Sequence, residues 1–488
     1  MLERILAYAQ TLGAIPQAPY LHRASLRQVL QFLAELNIRP QGLGNPAEGT
    51  YASDAYALYV NFRRGQPRVP VLFDSHLDHP ALVLDGRGGG VALGSLGLDR
   101  IKRLTEVAPI PLRIFHPEGH FLTKGKLVAL HLAGKPYVQV ETPSPIPANC
   151  HALWDVTDFT VEGDHLLMHS ADNTIVTAVM LALLEQVARN PTTYRDLDVT
   201  FVFTFLEEIF EVSATAIAQR RRTPFGPIDE RSLIVVLESM ETIPLAYQEQ
   251  RETATELIAR DLRAMRQTDE RWVLALRDGA ALDRDAVHPL YRTFDLPLPQ
   301  PDGGVMLKVN DIDCVYGYEF PATPNLAESL LLRLSDELQI VPQHTLAGGA
   351  CNGTAYSLFP TTSHIVTLSV PNPCKHNMDL AGQIVPERVR LDNIAAAGRL
   401  GEGVLHASAT GIAGAHPHAL AQRLKATALR PNAASARRLQ IERGTIAWGA
   451  YLRLQHMRYF GASLPEQFAF GLRGSSARLR ERVQHLVG

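Results

Sequence analysis

The sequence predicts an α/β domain that is interrupted by a small all-β module and followed by a helical extension. Three observations lead there. Apolar strand-like runs at 69–75, 198–206 and 233–237 alternate with helical patterns such as 173–189. Residues 85–165 lose that alternation and carry only short β-like stretches. From about residue 410 the chain turns Arg- and Ala-rich with helical spacing.

The elements follow in chain order. Residues 25–36, SLRQVLQFLAEL, read as an amphipathic helix with Ser25 as its N-cap. Strand-like runs come next at 55–62 and 69–75. The second is apolar almost throughout, as in a sheet covered on both faces, and it runs into Ser75-His76-Leu77-Asp78. Gly88-Gly89-Gly90 opens the β-rich region, with stretches at 127–132, 137–140 and 158–161. A strong helix at 173–189 has Asp172 at its start. The buried strand 198–206 ends at Glu207-Glu208, and the strand 233–237 ends at Glu238. A polar helical stretch is expected over about 250–285, a helix near 326–338, a Gly-rich loop at 348–353 and a strand at 363–370. A loop holding His376 and a helix near 385–405 close the domain.

Composition narrows the class. The chain has 488 residues, 46% hydrophobic and 20% charged, a balance typical of globular proteins long enough for two or three domains. A net charge of -3 argues against the whole chain being a nucleic-acid binder. From residue 421 onward twelve Lys/Arg face three Glu, a local +9 that leaves about -12 for the rest. Such a tail can contact nucleic acid or an acidic partner, but a solvated helical face or a subunit contact is the simpler reading. The cysteines, Cys150, Cys314, Cys351 and Cys374, form no CxxC pair and no disulfide framework. No apolar run has the ~20 residues of a membrane span, and the N-terminus lacks a signal-peptide pattern. The expectation is a cytoplasmic protein with no membrane partner.

The acids and histidines fall in a pattern. Ligands of open α/β sheets bind beyond the carboxyl ends of the strands. Here His76, the Glu207-Glu208 pair and Glu238 stand at strand ends, Asp172 begins a helix, and His376 follows a strand. One crevice could collect all of them. Taken singly each has a plainer explanation: a polar loop cluster, a solvated glutamate pair, a helix N-cap, a lone histidine. Together they offer what a two-metal site needs, namely a carboxylate to bridge, terminal ligands for each ion, and a base for the attacking water. Neighbouring side chains on extended backbone point to opposite sides, so one glutamate of the pair can coordinate while the other faces substrate.

Longer stretches around these residues resemble a known family. They are DSHLD at 74–78, SADNTIVTAVML at 170–181, FTFLEEIFEVSA at 203–214 and LIVVLES at 233–239. GGVMLKVND at 303–311, GGACNGTA at 348–355 and LSVPNPCKHNMD at 368–379 complete the set. The chain resembles the co-catalytic zinc aminopeptidases of the tetrahedral (glutamyl) aminopeptidase family, relatives of the aspartyl aminopeptidases, over roughly residues 1–405. WDVTDFTVEGD at 154–164 resembles the strand pair leading out of that family's inserted domain. The resemblance implies a doubly wound α/β metallopeptidase domain at 1–84 and 166–408, and an inserted β-barrel at 85–165 that drives homo-oligomerisation. A basic helical extension at 409–488 would lie outside the pattern. It further implies two divalent ions, zinc foremost, with cobalt or manganese as alternatives. His76 and Glu238 would hold one ion, Glu208 and His376 the other, with Asp172 bridging. Glu207 would be the general base and acid, and Asp78 would orient His76. The substrate would be a peptide losing its N-terminal residue.

Several residues depart from the family pattern. His79-Pro80 follow HxD where an acid and a glycine are usual. Ile209-Phe210-Glu211 follow the glutamate pair where Val-Gly is usual. Asn352 stands where an Asp is expected, and Glu238 where Asp is commoner. One alternative keeps the same fold and cage, a metal-dependent deacylase or carboxypeptidase-like amidohydrolase; a second, a degenerate homologue acting as a binding or scaffold protein, is opposed by the intact ligand set.

Overall fold

The computed structural model describes residues 1–66, 69–94, 98–132, 137–209, 211–242, 299–311, 325–347, 351–358, 362–379 and 383–410. The polar stretch expected at 250–285, Gly348-Gly349, Phe210 and the extension beyond 410 lie outside them.

A nine-stranded mixed sheet forms the centre. Its order is Arg39–Pro40, Thr50–Ser53, Ala57–Arg64, Leu197–Thr204, Val71–His76, Leu233–Met240, Ile365–Pro371, Met306–Asp311, Gln343–Ala347. The four middle strands, from Leu197–Thr204 to Ile365–Pro371, run parallel, with Thr204 beside His76, Val236 beside Asp74 and Glu238 beside Ser369. Their carboxyl ends therefore share one edge, and the chain segments leaving them start from the same rim.

The apolar runs are continuous because both faces are covered. Phe73, Phe201, Phe203, Val235 and Leu237 point into one core with the helices Leu2–Gly13, Ala171–Arg189, Leu326–Glu337 and Leu391–Thr410. Leu72, Val202, Ile234 and Val236, one residue out of step, point into the other core with Val212–Arg220 and Asn352–Leu358. The period of two thus feeds two helical layers, which is the doubly wound arrangement. Ala171–Arg189 is long and apolar enough to cross a membrane, yet it is packed inside the protein as the central helix of the first layer. Each of its fully buried Val, Leu, Ile or Met side chains contributes roughly 1.5–3 kcal/mol by leaving water. Leu391–Thr410 packs close against it at Gly401, where an added Cβ would lie 2.5 Å from Leu183 Cδ1.

The β-rich region closes into a six-stranded barrel in the order Cys150–Trp154, Ala81–Leu84, Gly89–Leu93, Tyr137–Glu141, Phe121–His131, Ile110–Phe115. Its interior holds Leu112, Ile114, Leu127, Val138, Val140 and Trp154, from alternating positions. Closure removes free sheet edges, which short antiparallel strands otherwise expose. The strands Thr160–Glu162 and His165–Met168 do not join the barrel; they pair with each other, and His165–Met168 pairs on its other side with Glu387–Arg390.

Two local expectations change. The helix expected at 25–36 spans Arg23–Glu35, the second of the chain after Leu2–Gly13, with His22 as N-cap, and Ser25 is fully buried one turn in. The His22 ring stacks on Phe205 at 4.1 Å, which fixes the chain ahead of the serine. The helix placed near 385–405 begins only at Leu391, because Glu387–Arg390 is extended and hydrogen-bonded to His165–Met168.

Candidate metal centre

His76 ends the strand Val71–His76 and is 1% exposed. Its Nδ1 lies 2.9 Å from the Asp78 carbonyl oxygen, which turns Nε2 toward the rim. There Nε2 is 3.4 Å from Asp172 Oδ1, 3.5 Å from Glu238 Oε2 and 3.7 Å from Glu207 Oε2. On the other side of Asp172, Oδ2 is 3.1 Å from His376 Nε2, which in turn is 3.2 Å from Glu208 Oε1. The five ligand-type residues named from the sequence therefore fall into two sets that share Asp172, one oxygen to each.

Asp172 is not a helix cap. Both its carboxylate oxygens are buried without a hydrogen bond, as are His76 Nε2, Glu208 Oε1 and Glu238 Oε2. Buried polar atoms that make no hydrogen bond are costly and rare, and here they converge on one spot, beside one another. Their spacing fits a divalent ion. Ligand atoms at roughly 2.0–2.1 Å from a tetrahedral centre stand about 3.3–3.4 Å apart, close to the 3.4 and 3.5 Å of the His76 set and the 3.1 and 3.2 Å of the His376 set. The donor chemistry, imidazole nitrogen with carboxylate oxygen, suits zinc and its neighbours.

Local folding explains how each group arrives. Glu207 and Glu208 lie just past Leu197–Thr204, and their backbone amides donate to Asp78 Oδ1 and Oδ2 at 3.0 and 3.1 Å. The Asp78 carboxylate thus mainly holds the glutamate pair, while its backbone oxygen orients His76. Glu238 lies within its strand, with Oε1 taking the Ser239 amide at 3.1 Å. His376 has a left-handed φ of 59° in the turn Lys375–Asn377, which aims its ring back at the rim.

Burial and charge act together on these groups. Burial alone would lower the His76 and His376 pKa values, but the carboxylates of Glu207, Glu238 and Asp172 around the first, and of Glu208 and Asp172 around the second, hold both well above the ordinary range. Burial would raise Asp172, yet Lys375, His376 and His76 keep it well below the usual carboxylate value. Glu207 moves the other way: burial, reinforced by Glu238 and Glu208, pushes it well up. A buried carboxylate with a raised pKa is better suited to taking up a proton than an ordinary surface one.

Two residues of the site, Lys375 and Glu387, carried no signal in the sequence, and a third, His79, stood out there only as a departure from the family pattern. Lys375 brings Nζ to 3.1 Å from Asp172 Oδ2 and 3.3 Å from Glu238 Oε1. Glu387, fully buried, takes the Asp172 amide on Oε2 and the His376 amide on Oε1, each at 2.6 Å. His79 places Nε2 3.1 Å from the same Oε1. Lys375 could have been noticed beside His376; nothing local marks Glu387. Asn352 donates to Asp74 Oδ1 at 2.5 Å and to Thr204 Oγ1 at 2.9 Å, and Tyr356 donates to Asp74 Oδ2 at 2.7 Å. An amide rather than a carboxylate at 352 is what Asp74 requires.

No family model matches the sequence, and no curated protein does. Solved structures do match the fold. The TET1 peptidase of Pyrococcus horikoshii, which can assemble into a tetrahedron or a large octahedral shell, superposes with a TM-score of 0.53 at 14% identity, covering 82% of this chain and 98% of that one. The aminopeptidase APDkam598 of Desulfurococcus kamchatkensis gives 0.53 at 13% identity, covering 85% and 98%. Yeast aminopeptidase 1 gives 0.51 at 12%, covering 84% and 98%. At these identities the likeness is one of architecture, and this chain has the fold of the tetrahedral-type aminopeptidases.

Proposed function

We propose that the chain is a two-metal hydrolase that removes N-terminal residues from peptides. One observation carries this reading: two His–carboxylate sets of tetrahedral spacing share Asp172, with a third carboxylate, Glu207, beside them. His76, Asp172 and Glu238 would hold one ion, and Asp172, Glu208 and His376 the other. When bound, such ions polarise a scissile carbonyl and lower the pKa of water. Glu207 would take the proton of the attacking water and return it to the leaving amine. Asp78 would position Glu207 through its backbone amide, and Glu387 would position Asp172 and His376 in the same way. Aminopeptidases of the same fold support the choice of a peptide with a free amino terminus, and their assemblies support a homo-oligomer. The cluster's donor set also supports zinc, cobalt or manganese as the ions.

The test is an assay of the chelated protein resupplied with zinc, cobalt or manganese, on matched aminoacyl and N-acylaminoacyl substrates. Metal-dependent turnover of the free-amine members supports the reading. Turnover confined to the N-acyl members would make the chain a deacylase. Absence of both activity and bound metal would leave a binding protein.

A further inference from the structure

We infer that the barrel holds one of the metal ligands in place: Met378 and Arg100 are positioning residues that tie the His376 turn into the barrel's core. The inference rests on the two-metal reading above. His376 and Asn377 both take left-handed φ values, 59° and 63°. Such a conformation is unfavourable for residues other than glycine, so two in succession persist only where the flanking chain is held. One anchor is the Glu387 carboxylate, which takes the His376 amide at 2.6 Å. The other lies in the barrel. Met378 is fully buried, and its side chain belongs to the core formed by Leu82, Ile101, Leu127, Val140 and Trp154.

The route from barrel to ligand is short and runs through one antiparallel pairing. The Val385 amide donates to the Asn377 carbonyl at 2.9 Å, the Asp379 amide donates to the Gln383 carbonyl at 3.1 Å, and Met378 bridges to Ile384. Ile384 also packs against the barrel core. His376 and Glu387 therefore stand just outside the two ends of a segment whose apolar residues are lodged in the barrel. Arg100, on the helix Leu98–Val107, closes on the same segment from the barrel side. Its Nη1 donates to the Asp379 carbonyl at 3.2 Å and lies 3.9 Å from Met378 Sδ. The arginine is 7% exposed, and hydrogen bonds from a charged donor are among the stronger kinds. Without Met378 the His376 turn would keep Glu387 but lose its hold on the barrel. Glu387 would loosen with it, and that carboxylate also takes the Asp172 amide.

Cobalt(II) tests this without reference to turnover, because its visible spectrum reports the ligands directly. The full-length protein is stripped with chelator, reloaded with cobalt(II), and read by visible absorption and by competition with a chelating dye. Met378→Ala is expected to weaken cobalt binding by about tenfold, the lower end for groups that orient ligands, and to change the spectrum. Met378→Leu, which still fills the barrel, stays close to wild type. Arg100→Met is expected to shift affinity and spectrum in the same direction, and Arg100→Lys to restore them. Val140→Ala opens a cavity elsewhere in the same core. It should lower the melting temperature and leave the cobalt spectrum and affinity as in wild type. Wild-type affinity and spectrum in either Met378→Ala or Arg100→Met, or a change in Val140→Ala as large as that in Met378→Ala, would overturn the inference while leaving the two-metal reading intact. If Met378→Ala fails to fold, Arg100→Met beside Arg100→Lys still decides. A wild type that binds no cobalt overturns this inference and the two-metal reading together.

Discussion

His79 Nε2 lies 3.1 Å from Glu387 Oε1, a contact that joins positions 308 residues apart. The same carboxylate takes the backbone amides of Asp172 and His376, so one buried side chain fixes both of these residues and the one that departs from HxD-acid-Gly. The histidine in place of an acid at 79 is thereby explained, since an acid there would face Glu387 with like charge. Outer groups that orient ligands typically matter 10–100-fold for metal affinity. Glu387→Ala is accordingly expected to weaken metal binding by about that factor. Titration of the purified variant against a chelator checks it; affinity equal to wild type would assign Glu387 a purely structural part.

Glu207→Gln keeps size and hydrogen bonding but removes the proposed base. General acid–base groups contribute typically about 10²–10⁴-fold, so turnover should fall by that amount with metal content unchanged. Single-turnover kinetics alongside elemental analysis separate the two effects. If Glu207→Gln turned over normally while Glu208→Gln did not, the two roles would have to be exchanged.

The convergence of His76, Asp172, Glu208, Glu238 and His376 was legible in the sequence because parallel strands deliver their ends to one rim, and ligand-type residues stood at those ends. The double layering was legible for a related reason: apolar runs without alternation need cover on both faces. Glu387 was not legible. Its role depends on a long-range pairing between Glu387–Arg390 and His165–Met168, which no local period reports. Lys375 was hidden differently: a lysine beside a histidine in a loop reads as solvated, and only the turn of the chain at His376 carries it inward. Ser25 misled because its capping chemistry was real in principle, while the stacking of His22 on Phe205 had already set the start of the helix.

Asn352→Asp should destabilise the protein. Asp74 is fully buried, and burial pushes its pKa up to about 7 even with Tyr356 and Asn352 donating to it. A second carboxylate 2.5 Å from Oδ1 would lose the amide donor and add a like charge. A loss of about 3 kcal/mol is expected at neutral pH, the scale for an uncompensated buried charge. The swapped pair, Asp74→Asn with Asn352→Asp, restores one donor and one acceptor and should recover much of it. Thermal melts of both variants test this, and a swap no better than Asn352→Asp alone would refute the pairwise account.

The last prediction concerns acid stability and is set in the barrel, away from the metal centre. His151 lies on the strand Cys150–Trp154, opposite Val83 and Phe115, and is 5% exposed. Burial lowers its pKa to about 3, against the small opposing effect of a backbone hydrogen bond at Asn149. In the unfolded chain the same ring titrates near 6.5. Above that pH it is neutral in both states and does not oppose folding. As the pH falls from 6.5 toward 3 only the unfolded chain takes up the proton, so stability falls with it and levels off below 3. At about 1.4 kcal/mol per pH unit, the loss at pH 5 is on the order of 2 kcal/mol. His22, lowered by burial to about 4, adds a loss of the same sign. His151→Leu removes the proton acceptor, so its stability should drop by about 2 kcal/mol less than that of wild type between pH 7 and pH 5. Urea denaturation of both proteins at the two pH values measures that difference directly. Equal pH sensitivity in the two would mean that the ring reaches water in the folded barrel, and that acid sensitivity arises elsewhere.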